Sequence, residues 1–133
     1  MPDPIITNND SSELVLGDDF YKNDIFTAGG AATFKKGMIL ARDSVTGKLV
    51  VFVKGGVTQE NDIPKTVLPF EVVAAGAGDI TVRVFTTARL RKDKLVINAD
   101  GDDSNVDAVV IDELRDYGIF SEDVTELNIP DNQ

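Results

Sequence analysis

The chain contains no histidine, no cysteine and no tryptophan among its 133 residues. Without cysteine, disulfides and thiolate chemistry are excluded, and the redox compartment leaves no trace. The missing histidine matters more, because it is the commonest general acid–base and metal ligand. Any catalysis would fall to carboxylates, Lys, Ser/Thr or Tyr, and a triad with a histidine base is impossible. No apolar run approaches the roughly 20 residues of a membrane span. The start, Met1-Pro2-Asp3-Pro4-Ile5-Ile6, lacks both the basic region and the apolar stretch of a signal peptide. A product that stays in the cytosol until it meets a partner is expected, with no membrane contact. The glycine-rich pieces Gly29-Gly30, Gly55-Gly56 and Gly76-Ala77-Gly78 are not followed by the Lys-Ser/Thr pair of a phosphate loop. No cofactor is expected.

What is present is unevenly distributed charge. The net charge of −10 divides into an acidic start, a basic middle and a more acidic end. Residues 1–33 carry six acids and one base, 34–97 eleven bases and six acids, and 98–133 eleven acids and one base. Such blocks read either as a solvated surface with acidic ends or as complementary contact between copies or with a partner. Direct nucleic-acid binding is disfavoured, since a chain of this sign repels phosphate.

Along the chain, residues 1–12 read as a flexible arm, rich in Pro, Asn, Asp and Ser. Within it Pro4-Ile5-Ile6-Thr7 is β-prone: either part of a frayed end or a strand that pairs with a partner's exposed sheet edge. Glu13-Leu14-Val15-Leu16-Gly17 predicts a short strand stopped by Gly17-Asp18-Asp19, and Phe20–Thr33 a loop with at most one short strand. The stretch Gly37–Val53 predicts two strands joined through Thr46-Gly47. Pro69 marks an edge strand or a strand start. Alternation of Ile80, Val82 and Val84 against Thr81 and Arg83 predicts a half-buried strand, paired as a central hairpin with Phe70–Ala75 through Gly76-Ala77-Gly78-Asp79. Leu95-Val96-Ile97 predicts one more strand, and the basic cluster Arg89-Leu90-Arg91-Lys92-Asp93-Lys94 before it a solvated turn or a contact with an acidic neighbour.

One helix is expected, capped at Ser104-Asn105-Val106-Asp107, with Val106, Val109, Val110, Leu114 and Tyr117 as its apolar stripe and Gly118 just past its end. The acids Asp100, Asp102 and Asp103 invite a calcium reading. Setting Gly101 sixth in an EF-hand loop puts Val96 first, where it cannot ligate, so turn chemistry explains them better and no metal is expected. The pattern as a whole is a single mainly β or α+β domain of short antiparallel strands with a late helix, spanning 13–127 between the arm and a polar tail at 128–133.

In order, the hairpin Lys36–Phe52, the segment Val67–Asp79, the strand Ile80–Phe85 and the helix ending Leu114-Arg115-Asp116-Tyr117-Gly118-Ile119 resemble the lambda-type head decoration proteins of tailed phages. The resemblance runs from about Gly37 to Leu127. It implies a β-clip fold, a bent two-stranded ribbon closing into an incomplete barrel with one substantial helix. It further implies a non-catalytic homotrimer bound to the phage major capsid protein on the exterior of the virion head, with the arm containing Pro4, Ile5, Ile6 and Thr7 ordering on the capsid. The loop Gly55–Pro64 and the acidic extension from Phe120 have no counterpart in that pattern. Two other readings stand beside it: a carboxylate-dependent hydrolase using Asp100, Asp102 and Asp103, and another virion component such as a tail or spike module.

Overall fold

The structure, a computed structural model, describes residues 14–123. Eight strands and one α-helix follow in chain order: β1 (Val15–Ala28), β2 (Ala32–Phe34), β3 (Ile39–Arg42), β4 (Leu49–Val51), β5 (Pro64–Val67), β6 (Val72–Ala74), β7 (Gly78–Arg91), α1 (Ala108–Arg115) and β8 (Ile119–Glu122). Six strands form one sheet in the order β5-β3-β4-β1-β7-β8, and β2 pairs with β6 in a separate ribbon. The sheet curls until its first strand approaches its fifth. There the Thr66 hydroxyl of β5 donates to the Phe85 carbonyl of β7 at 2.7 Å, in a buried position. Helix α1 lies against both edge strands, β5 and β8, and covers the seam that the backbone ladder leaves open. The fold is a mainly β, incomplete barrel with one helix.

The hairpin β3–β4 forms as expected. Leu40 faces Val51 and Arg42 faces Leu49, and the Asp43 carboxylate caps the turn by accepting from the Val45 and Thr46 amides at 2.8 and 3.0 Å. The alternation in β7 also holds: Val82 and Val84 are buried, while Thr81 and Arg83 are exposed.

Five expectations are corrected. The strand expected at Glu13–Gly17 does not stop at Gly17-Asp18-Asp19: β1 runs from Val15 to Ala28, so the segment expected as a loop with at most one short strand is mostly strand. Gly17 (φ 152°) and Asp18 (φ 56°) do take positive φ, yet they sit among register shifts in the β1–β7 ladder, so the turn chemistry encodes bulges inside a strand. Phe70–Ala75 and Ile80–Phe85 do not pair with each other. β6 pairs with β2, and β7 pairs with β1 from Val15↔Leu90 to Ala28↔Gly78. The two 14-residue strands β1 and β7 therefore make a long ribbon, and β1–β4 and β7–β8 are parallel, so the strands are neither all short nor all antiparallel. Leu95-Val96-Ile97 makes only isolated bridges, to Met38 and Asp102.

The last correction concerns the helix. Its N-cap is Asp107, whose carboxylate accepts from the Val110 amide at 3.0 Å, rather than Ser104, whose own amide is held by Asp102 at 2.9 Å. Starting later, the helix turns Val110 and Leu114 into the core and leaves Val109 and Tyr117 exposed. Gly118 (φ 90°) closes it in the left-handed conformation, where a Cβ would also press on the Thr86 carbonyl at 3.0 Å.

Apolar side chains collect in two cores on opposite sides of the sheet. One, under α1, holds Ile39, Phe52, Phe85, Leu90, Val110 and Leu114. The other, under the β2–β6 ribbon, holds Phe26, Phe34, Met38, Leu40, Leu68 and Val84. Leu114 is fully buried, so Leu114→Ala should cost about 2–5 kcal/mol. Arg115→Ala, which removes only a partly exposed pair with Asp112, should cost less than about 0.5 kcal/mol. Denaturant titration of both variants checks this; equal midpoints would place Leu114 outside the core.

Candidate partner-binding site

The arm residues Pro4, Ile5, Ile6 and Thr7 lie outside the described residues. The point where the chain enters the fold is well fixed. Leu14 is buried, and its carbonyl accepts from the Arg91 amide at 2.8 Å. On the opposite side of β7, Arg91 is registered with Glu122 at the end of β8. Leu14 and Glu122, near the two limits of the described residues, thus flank Arg91 at one end of the barrel, one strand on either side.

That end also holds the basic cluster Arg89–Lys94, and its two arginines are engaged by acids of the same chain. Arg89 makes a two-pronged contact with Glu122 at 2.9 and 3.2 Å, and Asp18 lies 3.9 Å away. Arg91 pairs with Asp93 at 2.9 Å across a 3-10 turn at Lys92–Lys94. The contact with Glu122 holds the Arg89 guanidinium above its usual range and the Glu122 carboxyl below its own. Only the second half of the cluster is a turn: Arg89, Leu90 and Arg91 close β7, with Leu90 buried, and Lys92–Lys94 form the 3-10 turn after it.

A second group of cations is assembled by the fold from distant positions. Lys22 of β1, Arg42 of β3 and Lys65 of β5 converge at the mouth of the barrel, around a recess of about 270 Å³ also lined by Thr66, Phe85, Thr86 and Tyr117. Asp24 is the carboxylate that Lys22 and Arg42 share. Its Oδ2 accepts from Arg42 at 2.8 Å and lies 3.4 Å from the Lys22 ammonium, while its Oδ1 accepts from the Ile25 amide at 2.8 Å. Burial pushes the Asp24 carboxyl up, but the hydrogen bonds from Arg42 and Ile25 and the charges of Arg42 and Lys22 outweigh it, and the net direction is down. Lys65 has no carboxylate partner among the described residues; its ammonium rests over the Tyr117 ring, 3.8 Å from the centroid.

Further along the ribbon, Tyr21, half-buried against Phe85 of the core, stacks on Phe70 with centroids 6.2 Å apart and planes 7° from parallel, and the Arg83 guanidinium lies 5.3 Å from the Tyr21 centroid. Asn23 and Thr81 complete this shallow ledge. Nothing in the local sequence announces either surface. Lys22, Arg42 and Lys65 are separated by some twenty residues each, and while Arg42 and Lys65 belong to the basic middle of the chain, Lys22 is the single base of its acidic start.

The acids Asp100, Asp102 and Asp103 do not converge on a common point. Asp100 accepts from the Asn105 amide group at 3.0 Å and Asp102 from the Ser104 backbone, and Gly101 (φ 75°) turns the chain between them. The Ser104 contacts draw the Asp102 carboxyl below its usual range. These are turn residues leading to the helix cap. No family model, curated protein or solved structure matches this chain.

The lowered Asp24 carboxyl carries a pH signature. Because its folded-state value lies below the unfolded one of about 3.9, its contribution to stability is present above that value and lost as pH falls through the folded value. Asp24→Asn should therefore lower the thermal midpoint at pH 7, and the gap to wild type should close below about pH 4. Midpoints recorded from neutral to strongly acid solution check this; a gap of constant size would show that the ion pairs contribute nothing.

Proposed function

We propose that this chain is a head decoration protein of a tailed phage, made in the host cytoplasm and carried on the exterior of the virion head. It binds there as a homotrimer to the major capsid protein lattice. The observation that carries this reading is the agreement between the order of segments from Gly37 onward and the architecture they build. The resemblance implies a bent two-stranded ribbon closing into an incomplete barrel with one helix; the β1–β7 ribbon, the Thr66–Phe85 seam and α1 support that outline, although β1 lies upstream of the segments that carry the resemblance.

The mechanism is mechanical. Each trimer bridges neighbouring capsid subunits, adds interface area and stabilises the expanded shell by mass action against the pressure of packaged genome. The anchoring of Leu14 beside Arg91 suits this task, because it fixes on the domain the point next to which an arm able to add to a capsid sheet edge is attached.

Two measurements test the reading. Cryo-microscopy of expanded shells of the cognate phage, incubated with the purified chain, should show three copies at each local three-fold position. Empty three-fold positions, or single copies elsewhere on the lattice, would sink it. Deletion of residues 1–12 should leave the thermal midpoint unchanged, since the fold is anchored from Leu14 onward. The same deletion should weaken shell binding by about tenfold, equivalent to about 1.4 kcal/mol. Undiminished binding by the shortened protein would remove the arm from the mechanism.

A further inference from the structure

The recess at the barrel mouth has a charge that the rest of the molecule does not explain. The whole chain carries −10, yet Lys22, Arg42 and Lys65 line one recess, where the carboxylate of Asp24 pairs with Lys22 and Arg42 but not with Lys65. Both Asp24 oxygens are already engaged: one by Arg42 and Lys22, the other by the Ile25 amide. Arg42 is held in place from a second direction, donating to the Gly47 carbonyl at 2.8 Å. Lys65 is oriented by the Tyr117 ring rather than by an acid. The result is a fixed positive concavity with a surplus of two charges, a half-exposed aromatic ring on one wall and the Thr66–Phe85 seam in its lining.

We infer that this recess is a docking site for an acidic segment of a partner protein, one carboxylate side chain lying between Lys65 and Lys22 with its methylenes against Tyr117. A cavity of about 270 Å³ accommodates a side chain of that kind. The three cations come from three strands of a hydrogen-bonded sheet, so little ordering is needed when the ligand arrives. A long polyanion such as nucleic acid is a poor occupant. It would extend beyond the Debye length of about 8–10 Å into the field of a strongly negative molecule, whereas a short acidic segment stays within the local positive field. The inference holds whatever particle or protein presents the segment.

A fluorescein-labelled hexaglutamate peptide, titrated with the full chain at low salt, is the direct probe. The wild type should bind it saturably, and Lys65→Met and Lys22→Met should each weaken binding by about two- to fivefold. Lys65→Glu should abolish it. Lys48→Met, which removes a cation paired with Asp79 away from the recess, should bind as wild type does. Hexathymidylate with the same label should bind more weakly than the peptide. Thermal midpoints establish that each variant is folded, and Lys22, being exposed, gives a reading even where a change at Lys65 disturbs β5. The inference is overturned by absent peptide binding, by wild-type affinity in the Lys22→Met, Lys65→Met double variant, or by hexathymidylate binding as tightly as the peptide.

Discussion

Ile39, Leu40 and Ala41 of β3 are all fully buried, and they point alternately into the two cores. A strand enclosed on both faces tolerates no polar side chain on either, which is why the sequence here is the unbroken run Met38-Ile39-Leu40-Ala41. It also obliges the rest of the chain to supply a cover on each side: α1 with Leu95 and Ile97 on one, the β2–β6 ribbon with Leu68 on the other. The entry to the strand is equally constrained. Gly37 (φ 90°) donates to the Leu68 carbonyl and accepts from the Val96 amide, and a Cβ there would collide with the Lys94 carbonyl. Only glycine passes three chain segments so closely.

A sheet that curls around such a strand leaves two edges, and unpaired edges invite association with other chains. This fold handles them without closing the ladder. β5 begins with Pro64 and reaches β7 through a threonine hydroxyl instead of its backbone, and one eight-residue helix packs on both edge strands at once. The helix is short and rich in β-branched residues, so its stability comes from burying Val110 and Leu114 rather than from propensity. Helix and seam therefore depend on one another: the helix needs the apolar floor, and the edges need the cover.

Fold class was legible in the sequence because it follows from local signals. The β3–β4 hairpin, the alternation in β7, the single late helix and its closing Gly118 all act over a few residues. Pairing was not legible. Gly17 and Asp18 carry the chemistry of a turn, and only the presence of β7 alongside makes them bulges in a continuing strand. Lys22 and Asp24 interrupt the apolar alternation of β1 because the strand passes the barrel mouth there, where charged side chains meet one another. Likewise β7 has its hydrogen-bonding partner more than fifty residues upstream, and the tight turn at Gly76–Gly78 gave no sign of that. The cationic recess is non-local in the same sense, being built from three strands that adjoin only after the barrel forms.

The two cores and the charged mouth are consequences of one geometry. Strands β1, β3 and β5 carry their apolar residues where the sheet is covered and their cations where it emerges: Phe26 against Lys22, Ala41 against Arg42, Val67 against Lys65. Stability then rests on buried surface that no partner needs to touch, while the charged residues, contributing little individually at exposed positions, are left for recognition. An acid paired with Lys65 would halve the surplus of positive charge, and none pairs with it among the described residues. Its ammonium is oriented by an aromatic ring, which holds a cation in position without cancelling its charge. A recess built in this way keeps its field directed outward, where an approaching negative group would meet it.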